Sequence, residues 1–424
     1  MTFGRPPPKV RPIIQAGKVP GPAHLGRAPR RTVMMVKTKF LSFGLLTMAL
    51  ALVVAGCGGD DPAPAAKPAV SQQAAAPAAT PTPAPTGKIP RTPALEALIA
   101  EAKTEGGRLN LLGGSFDEPG SLDEWGAAFS DEFGFDLKIT FTAGGNMSQV
   151  AAQTVEEHKA GRETSTDLYI GTAPSISALT NGDAVEVVDW LALAPWLPEG
   201  SVAPDGRSLA KSTQIKGIWY NTNKVTGADI PVSARDLLNP KWKGLVASTP
   251  YVAGWREAGG YFGELDDMIE LLGQLRSTGN LAGLMRCGEV ERVASEEFLL
   301  FGIACSNGAV REIRTKGAPV DYIVPSDLAI ITYVHTAVPK LSAHPALAKL
   351  FSIYLLTPEA QAVHWKYYYD DLHLIEGSGS AKAIAAKAPA GVELKVVTPD
   401  MVAKYTKEFA EANQTLRKAI RGQL

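Results

Sequence analysis

From Pro93 onward the chain alternates stretches of helical period with short apolar runs that stop at small, turn-forming residues. That alternation constrains the fold more than any other feature, because it is the pattern of an α/β protein built on largely parallel sheets. Residues 94–103 (ALEALIAEAK) read as an amphipathic helix stopped by Gly106-Gly107, and Arg108 to Leu112 as a short buried strand ending at Gly113-Gly114-Ser115. A helix from Leu122 to Phe133 leads to a strand at Leu137 to Phe141 and the loop Thr142 to Asn146. A third unit has a helix from Met147 to Lys159, a strand from Thr166 to Ile170, then Gly171-Thr172. All three strands end in Gly, Ser, Thr or Asn. In open α/β sheets the crevice beyond the carboxyl ends of the strands takes ligands, and such turns bring backbone N–H groups to it.

The first 90 residues follow other rules. Lys37 and Lys39 precede an uncharged apolar stretch from Phe40 to Ala55, with small residues before Cys57. This is the layout of a secretory signal, since the apolar run is shorter than the roughly 20 residues a spanning helix needs. Val54-Ala55-Gly56-Cys57 resembles the bacterial lipobox, which implies lipidation of Cys57 and an envelope location, anchored to the membrane by lipid and facing the periplasm or cell exterior. The Pro- and Arg-rich residues 1–33 precede this signal, and translation is expected to start at Met34 or Met35. After Cys57 runs a Pro/Ala tract with almost no large apolar side chains, which reads as a semi-extended tether. The expected organisation is therefore 1–56 N-terminal extension and signal, 57–90 lipidated cysteine and tether, then the globular part.

Composition narrows the partners. Across 424 residues, 42 basic side chains face 43 acidic ones, so no electrostatic footprint for nucleic acid or an anionic membrane surface exists. The three cysteines, Cys57, Cys287 and Cys305, form neither a disulfide framework nor a CxxC pair. The length of the globular part suits two lobes.

From about Ala94 to Asp371 an ordered series of landmarks carries a family likeness. They are Ala128 to Gly134, Ser165 to Tyr169, Gly217-Ile218-Trp219-Tyr220-Asn221-Thr222, Leu237 to Gly244, Lys316 to Tyr322 and Leu355 to Gln361. Together they resemble the bacterial extracellular solute-binding proteins grouped with the ferric-ion-binding periplasmic receptors. The resemblance implies a type II periplasmic-binding-protein fold: two α/β lobes, each a mixed sheet flanked by helices, joined by a two-strand hinge. Lobe 1 would be 91–208 plus 325–374, and lobe 2 would be 209–324 plus 375–424. It also implies a monomeric, non-enzymatic substrate-binding component of an ABC transporter that holds a small solute between its lobes and hands it to a membrane permease. An envelope sensor that presents its ligand state to a signalling partner is the alternative.

Iron-binding members of that family hold ferric ion with a histidine, a glutamate and two adjacent tyrosines. At the corresponding places this chain has Gly114-Ser115-Phe116, Thr172 and Cys305-Ser306-Asn307-Gly308. The histidines are scattered without metal-ligand spacing, so no metal site and no cofactor are expected, and a ferric receptor with replaced ligands is the weaker reading. What stands there is small, neutral and hydrogen-bonding, which suits a polar or anionic solute or a metal chelate. Candidate ligand-binding residues are Gly114, Ser115, Phe116, Gly145, Asn146 and Thr172 from lobe 1. Thr249, Tyr251, Trp255, Ser306 and Asn307 are those from lobe 2, with Arg256 as a partner for an anion. The run Tyr367-Tyr368-Tyr369 lies outside the tyrosine-pair position and reads as helix-end packing. Cys287 and Cys305 would lie outside the cytoplasm, where a pairing can persist and brace the Ser306 turn. No GxSxG, HExxH or P-loop is present, and Asp117-Glu118 read as solvated acids.

Overall fold

The computed structural model describes residues 88–113, 118, 120–303 and 306–424. Cys57 with its signal and tether, Gly114, Ser115, Phe116, Asp117 and Cys305 lie outside the described residues.

Helix α1 (Pro93–Thr104) is started by Thr92, whose hydroxyl accepts from the Leu95 amide, with proline in the first turn. Strand β1 (Arg108–Gly113) and, after α2 (Ser121–Phe133), strand β2 (Lys138–Ala143) pair in parallel. Gly134, at φ +71°, ends α2 in the left-handed conformation. Helix α3 (Met147–Lys159) begins with a reciprocal cap between Asn146 and Gln149. Strand β3 (Tyr169–Thr172) leads into α4 (Ala173–Asn181) and the short α5 (Trp190–Leu193).

The chain then runs through β4 (Leu209–Ile215) and β5 (Ile218–Asn221), two strands separated only by Lys216-Gly217 but belonging to different sheets. Next come β6 (Val246–Ser248), α6 (Trp255–Tyr261), α7 (Leu265–Ser277), β7 (Leu281–Leu284), α8 (Glu291–Ala294), β8 (Leu300–Phe301), α9 (Gly308–Thr315) and β9 (Val320–Ile323). The fully buried β10 (Ile330–Ala337) is followed by α10 (Pro345–Tyr354), α11 (Pro358–Tyr368) and α12 (Gly379–Lys387). Strand β11 (Lys395–Val397), α13 (Pro399–Lys404) and α14 (Thr406–Ala419) complete the described elements.

Two bodies result. In the first, β10 pairs antiparallel with β3 and with β4 and parallel with β11, while β1 and β2 form a separate pair. Its core packs Trp125, Phe129 and Phe133 of α2 against Phe351 and Tyr354 of α10. In the second, a five-stranded sheet has the order β7-β6-β8-β5-β9. Its faces are covered by a core around Trp242, Trp255 and Leu272 and by another around Trp219, Phe301 and Val310.

The strand pairing agrees with the mixed sheets that the resemblance implies and corrects the largely parallel reading of the alternation. Sheets are mixed rather than largely parallel, because β5 runs antiparallel to both neighbours and β10 antiparallel to β3 and β4. Strand β4 pairs with β10, whereas β5, two residues further on, belongs to the five-stranded sheet, so Lys216-Gly217 is the first passage linking the two sheets. The second passage lies between β9 and β10, where Ile215, Val324, Ala329, Ile331 and Leu394 make a small apolar cluster.

Candidate functional site

Three chain features meet where the sheets exchange strands. The first is the pair Lys216-Gly217, held to the start of β10 by a 2.9 Å bond from the Lys216 amide to the Ile330 carbonyl. The second is the start of α9. A Cβ placed on Gly217 would lie 3.0 Å from both the Oδ1 and Nδ2 of Asn307, so only glycine lets that helix approach the crossing strand. The third is the start of α2, which reaches α9 through Tyr368. The Tyr368 hydroxyl lies 2.8 Å from Ser121 Oγ, and its carbonyl oxygen lies 3.0 Å from where a Cβ on Gly308 would stand.

Asn307 is buried, and its Oδ1 accepts from Trp219 Nε1 at 3.0 Å, while its Nδ2 has no hydrogen-bond partner among the described residues. A buried amide donor left unused costs about 1–3 kcal/mol, so such a group points to an acceptor brought from outside. Ser306 Oγ turns back to accept from the Gly308 amide at 3.3 Å.

Lys216 is also buried, only 5% exposed, and burial pushes its ammonium down to about 8 against the pull of Glu257. Glu257 is buried as well. Burial alone would raise its carboxyl, but Arg256 and Lys216, with a 3.0 Å bond from Arg256 Nε and a 2.6 Å bond from the Gly254 amide, hold it below its ordinary value. The group Lys216, Arg256 and Glu257 thus carries one more positive than negative charge.

The turn from Thr249 to Gly254 fixes this group. Gly254, at φ +81°, presses against Ile303 of the neighbouring loop, where a Cβ would come within 2.4 Å of that side chain. Val252 sits at φ +49°, a conformation a β-branched residue adopts only when its surroundings impose it. Thr249 Oγ1 accepts from the Ala253 amide at 2.9 Å, Tyr251 accepts from the Cys287 amide at 2.9 Å, and Trp255 donates to Ser248 Oγ at 3.0 Å. These three are committed to shaping the turn, and Trp255 is fully buried in a core rather than standing as an aromatic wall.

On the first lobe, Gly145 and Asn146 are exposed, with Asn146 engaged in capping α3. Thr172 is half-buried at the start of α4, and its side chain makes no capping bond. The tyrosine run packs as a helix end: Tyr367 donates to Glu124 at 3.0 Å, Tyr368 stacks on Trp125, and Tyr369 takes the left-handed cap at φ +56°. Among the described residues no three His, Cys, Asp or Glu side chains gather as a metal site, and no helix is long and apolar enough to cross a membrane. Cys287 is disulfide-bonded.

Two lobes meeting along exchanged strands are also the architecture of known relatives. The family described as Bacterial extracellular solute-binding protein matches residues 192–404, half of the chain. The chain belongs to the bacterial extracellular solute-binding proteins. The Major ferric iron-binding protein of Neisseria meningitidis is 23% identical over 251 residues, 55% of this chain and 72% of that protein. Among solved structures, the substrate-binding protein of an ABC transporter from Agrobacterium tumefaciens superposes with a TM-score of 0.59 at 16% identity, covering 80% of this chain and all of that one. Iron-bound HitA from Pseudomonas aeruginosa gives 0.56 at 19% identity, over 74% of this chain and 99% of that one. At these identities the superpositions establish the fold, which is the two-lobed type II periplasmic-binding arrangement.

Two charged groups of this solute-binding protein escaped sequence reasoning. Lys216 stands between Ile215 and Gly217-Ile218-Trp219, a cation flanked by apolar residues and a glycine, which is the signal that marks it. Lys211 of β4 has none. It donates to His364 Nε2 at 2.6 Å, and His364 Nδ1 lies 3.3 Å from Asp370 Oδ1. Burial pushes Lys211 down to about 8 and Asp370 up to about 7, and burial with the Lys211 charge keeps His364 well below its ordinary value.

Proposed function

We propose that this solute-binding protein captures a small anion, or a metal chelate with free acid groups, between its lobes and delivers it to an ABC permease. The observation that carries the reading is the unsatisfied Nδ2 of buried Asn307 beside Gly217, next in sequence to the buried Lys216. A hydrogen-bond donor and an ammonium, both withdrawn from water, suit an acceptor with negative charge, because a charge-assisted bond is roughly twice as strong as a neutral one. Gly114, Ser115 and Phe116, which follow β1 in the sequence, would supply the first lobe's share, with Thr172 at the start of α4. Ligand contact with both lobes is what makes closure favourable.

A bare ferric ion fits these groups less well, since Thr172, Ser306 and Asn307 offer neutral donors where the ion needs anionic oxygen. A chelate is compatible, because its own acid groups supply the charge. The Cys287 bond fits a pairing with Cys305, which would brace the turn that presents Asn307. Lipid attachment at Cys57, through a tether spanning 57–90, would hold the monomeric receptor beside its permease.

Native mass spectrometry and metal analysis of the purified protein, followed by thermal unfolding with carboxylates, phosphonates, sugars and chelates, test the proposal. A solute at 100 times its Kd stabilises by about 2.7 kcal/mol. Stabilisation confined to anions is expected. No response to any anion, or stabilisation by ferric ion alone, would overturn the reading.

A further inference from the structure

Helix α9 belongs to the second lobe, where Val310 packs in the Trp219 core, and α11 belongs to the first, where Val363 packs in the Phe129 core. Arg311 of α9 nevertheless reaches across. One of its terminal nitrogens donates to the Tyr369 carbonyl at the end of α11, and its guanidinium lies 4.8 Å from the centre of the Trp365 ring. Its Nε donates at 3.1 Å to the Tyr322 hydroxyl of its own lobe, which fixes the plane of the guanidinium. Trp365 is equally constrained. Its other side lies against Gly379, where a Cβ would fall 2.3 Å from ring atoms, so the ring cannot turn away from the arginine. A third contact, 3.4 Å between Thr315 Oγ1 and the Tyr369 hydroxyl, lies one helical turn further along α9.

We propose that Arg311 is a positioning residue that clasps the two lobes together before any solute arrives. The clasp stands on geometry alone: a cation held between an aromatic ring and a carbonyl of one lobe and a hydroxyl of the other. An open cavity of about 410 Å³, lined by Arg311, Arg314, Thr315, Trp365 and Tyr369, keeps the clasp in reach of water, so it can part and re-form. It acts on the binding site through one backbone bond, from the Arg311 amide to the Asn307 carbonyl at 3.1 Å. Closing the clasp therefore sets Asn307 against Gly217. Binding then draws on a conformation already populated, and the loss of apparent affinity that comes from a rare binding-competent state is reduced.

The inference rests on the solute-capture reading for its purpose but not for its test, which needs no solute. The full chain in detergent, stripped by reversible urea unfolding, is spin-labelled at Glu101→Cys on α1 and Glu270→Cys on α7, both exposed. The distance between labels is then read by double electron–electron resonance. The unsubstituted clasp is expected to give one narrow distribution. Arg311→Ala should add a second, displaced population and change the open-to-closed ratio about thirtyfold or more, the effect of losing one charged hydrogen bond and a cation–π contact. Arg311→Lys, which keeps the charge but loses the fork, should fall between the two. Unfolding midpoints measured alongside should move little, which separates positioning from a general structural role. If Arg311→Ala does not fold, Trp365→Leu removes the ring and leaves the Tyr369 carbonyl, and should displace the distribution in the same direction by a smaller amount. A distribution unchanged in the folded variant overturns the proposal, and leaves the capture of an anion untouched.

Discussion

Replacing Lys216 by methionine should stabilise the protein at neutral pH while removing the proposed anion binding. The ammonium is 5% exposed and burial lowers its protonation midpoint from 10.5 to about 8. At about 1.36 kcal/mol per pH unit, keeping it charged at pH 7 costs the folded state about 3 kcal/mol relative to the unfolded chain. The sign follows from proton counting. Between pH 8 and 10.5 the unfolded chain holds the proton that the folded one has released, so the stability of the unsubstituted protein rises with pH across that window. The cost is present in full below pH 8. Methionine keeps the stem's volume and removes the charge, and Glu257 retains Arg256 and the Gly254 amide. Urea unfolding at pH 7 and pH 10 should show Lys216→Met about 1–3 kcal/mol more stable at pH 7, with the advantage shrinking at pH 10. A variant that is less stable at pH 7, or an advantage independent of pH, refutes the assignment of Lys216 as a charge held at a cost for binding.

Three further outcomes are expected. Phe129→Ala, in the centre of the first core and fully buried, should cost about 3–5 kcal/mol in chemical denaturation. Asp371→Ala removes the carboxylate that accepts from the Gly379 and Ser380 amides at 2.7 and 2.6 Å, and should lower stability by about 1–2 kcal/mol, read as a drop in thermal midpoint. Reduction of the Cys287 disulfide under native conditions should lower the unfolding free energy by about 2–4 kcal/mol, and peptide mapping should find Cys305 as the partner.

Local chemistry is what the sequence displays. Helices α1, α2 and α3 lie within a residue of where periodicity, the stops at Gly106 and Gly134 and the Asn146 cap put them, and Thr357 caps α11 as Thr-Pro-Glu-Ala-Gln suggests. The third strand starts later than its apolar run. Thr166 Oγ1 accepts from the Leu112 amide and Asp167 Oδ2 from the Asn110 amide, so side chains occupy edge positions that strand backbone would otherwise fill. Partnering is not displayed. Nothing in Leu209 to Ile215 says that β4 joins β10, because a short strand of mixed polarity reads the same beside either sheet. The junction is hidden for a similar reason: Gly217, Asn307 and Tyr368 are far apart in the chain and meet only once both lobes exist.

The C-terminal segment gives the molecule a third tie. After β11 joins β10, α13 touches the first lobe through a bond from Ser177 to the Pro399 carbonyl while its Val402 packs in the Trp255 core, and α14 follows on the second lobe, where Phe409 stacks on Tyr261. Two strands alone would let one half wring against the other. With α14 packed on α6, three chain segments rather than two tie the halves together, so swivelling of one half on the other should be more restricted than two strands alone would allow.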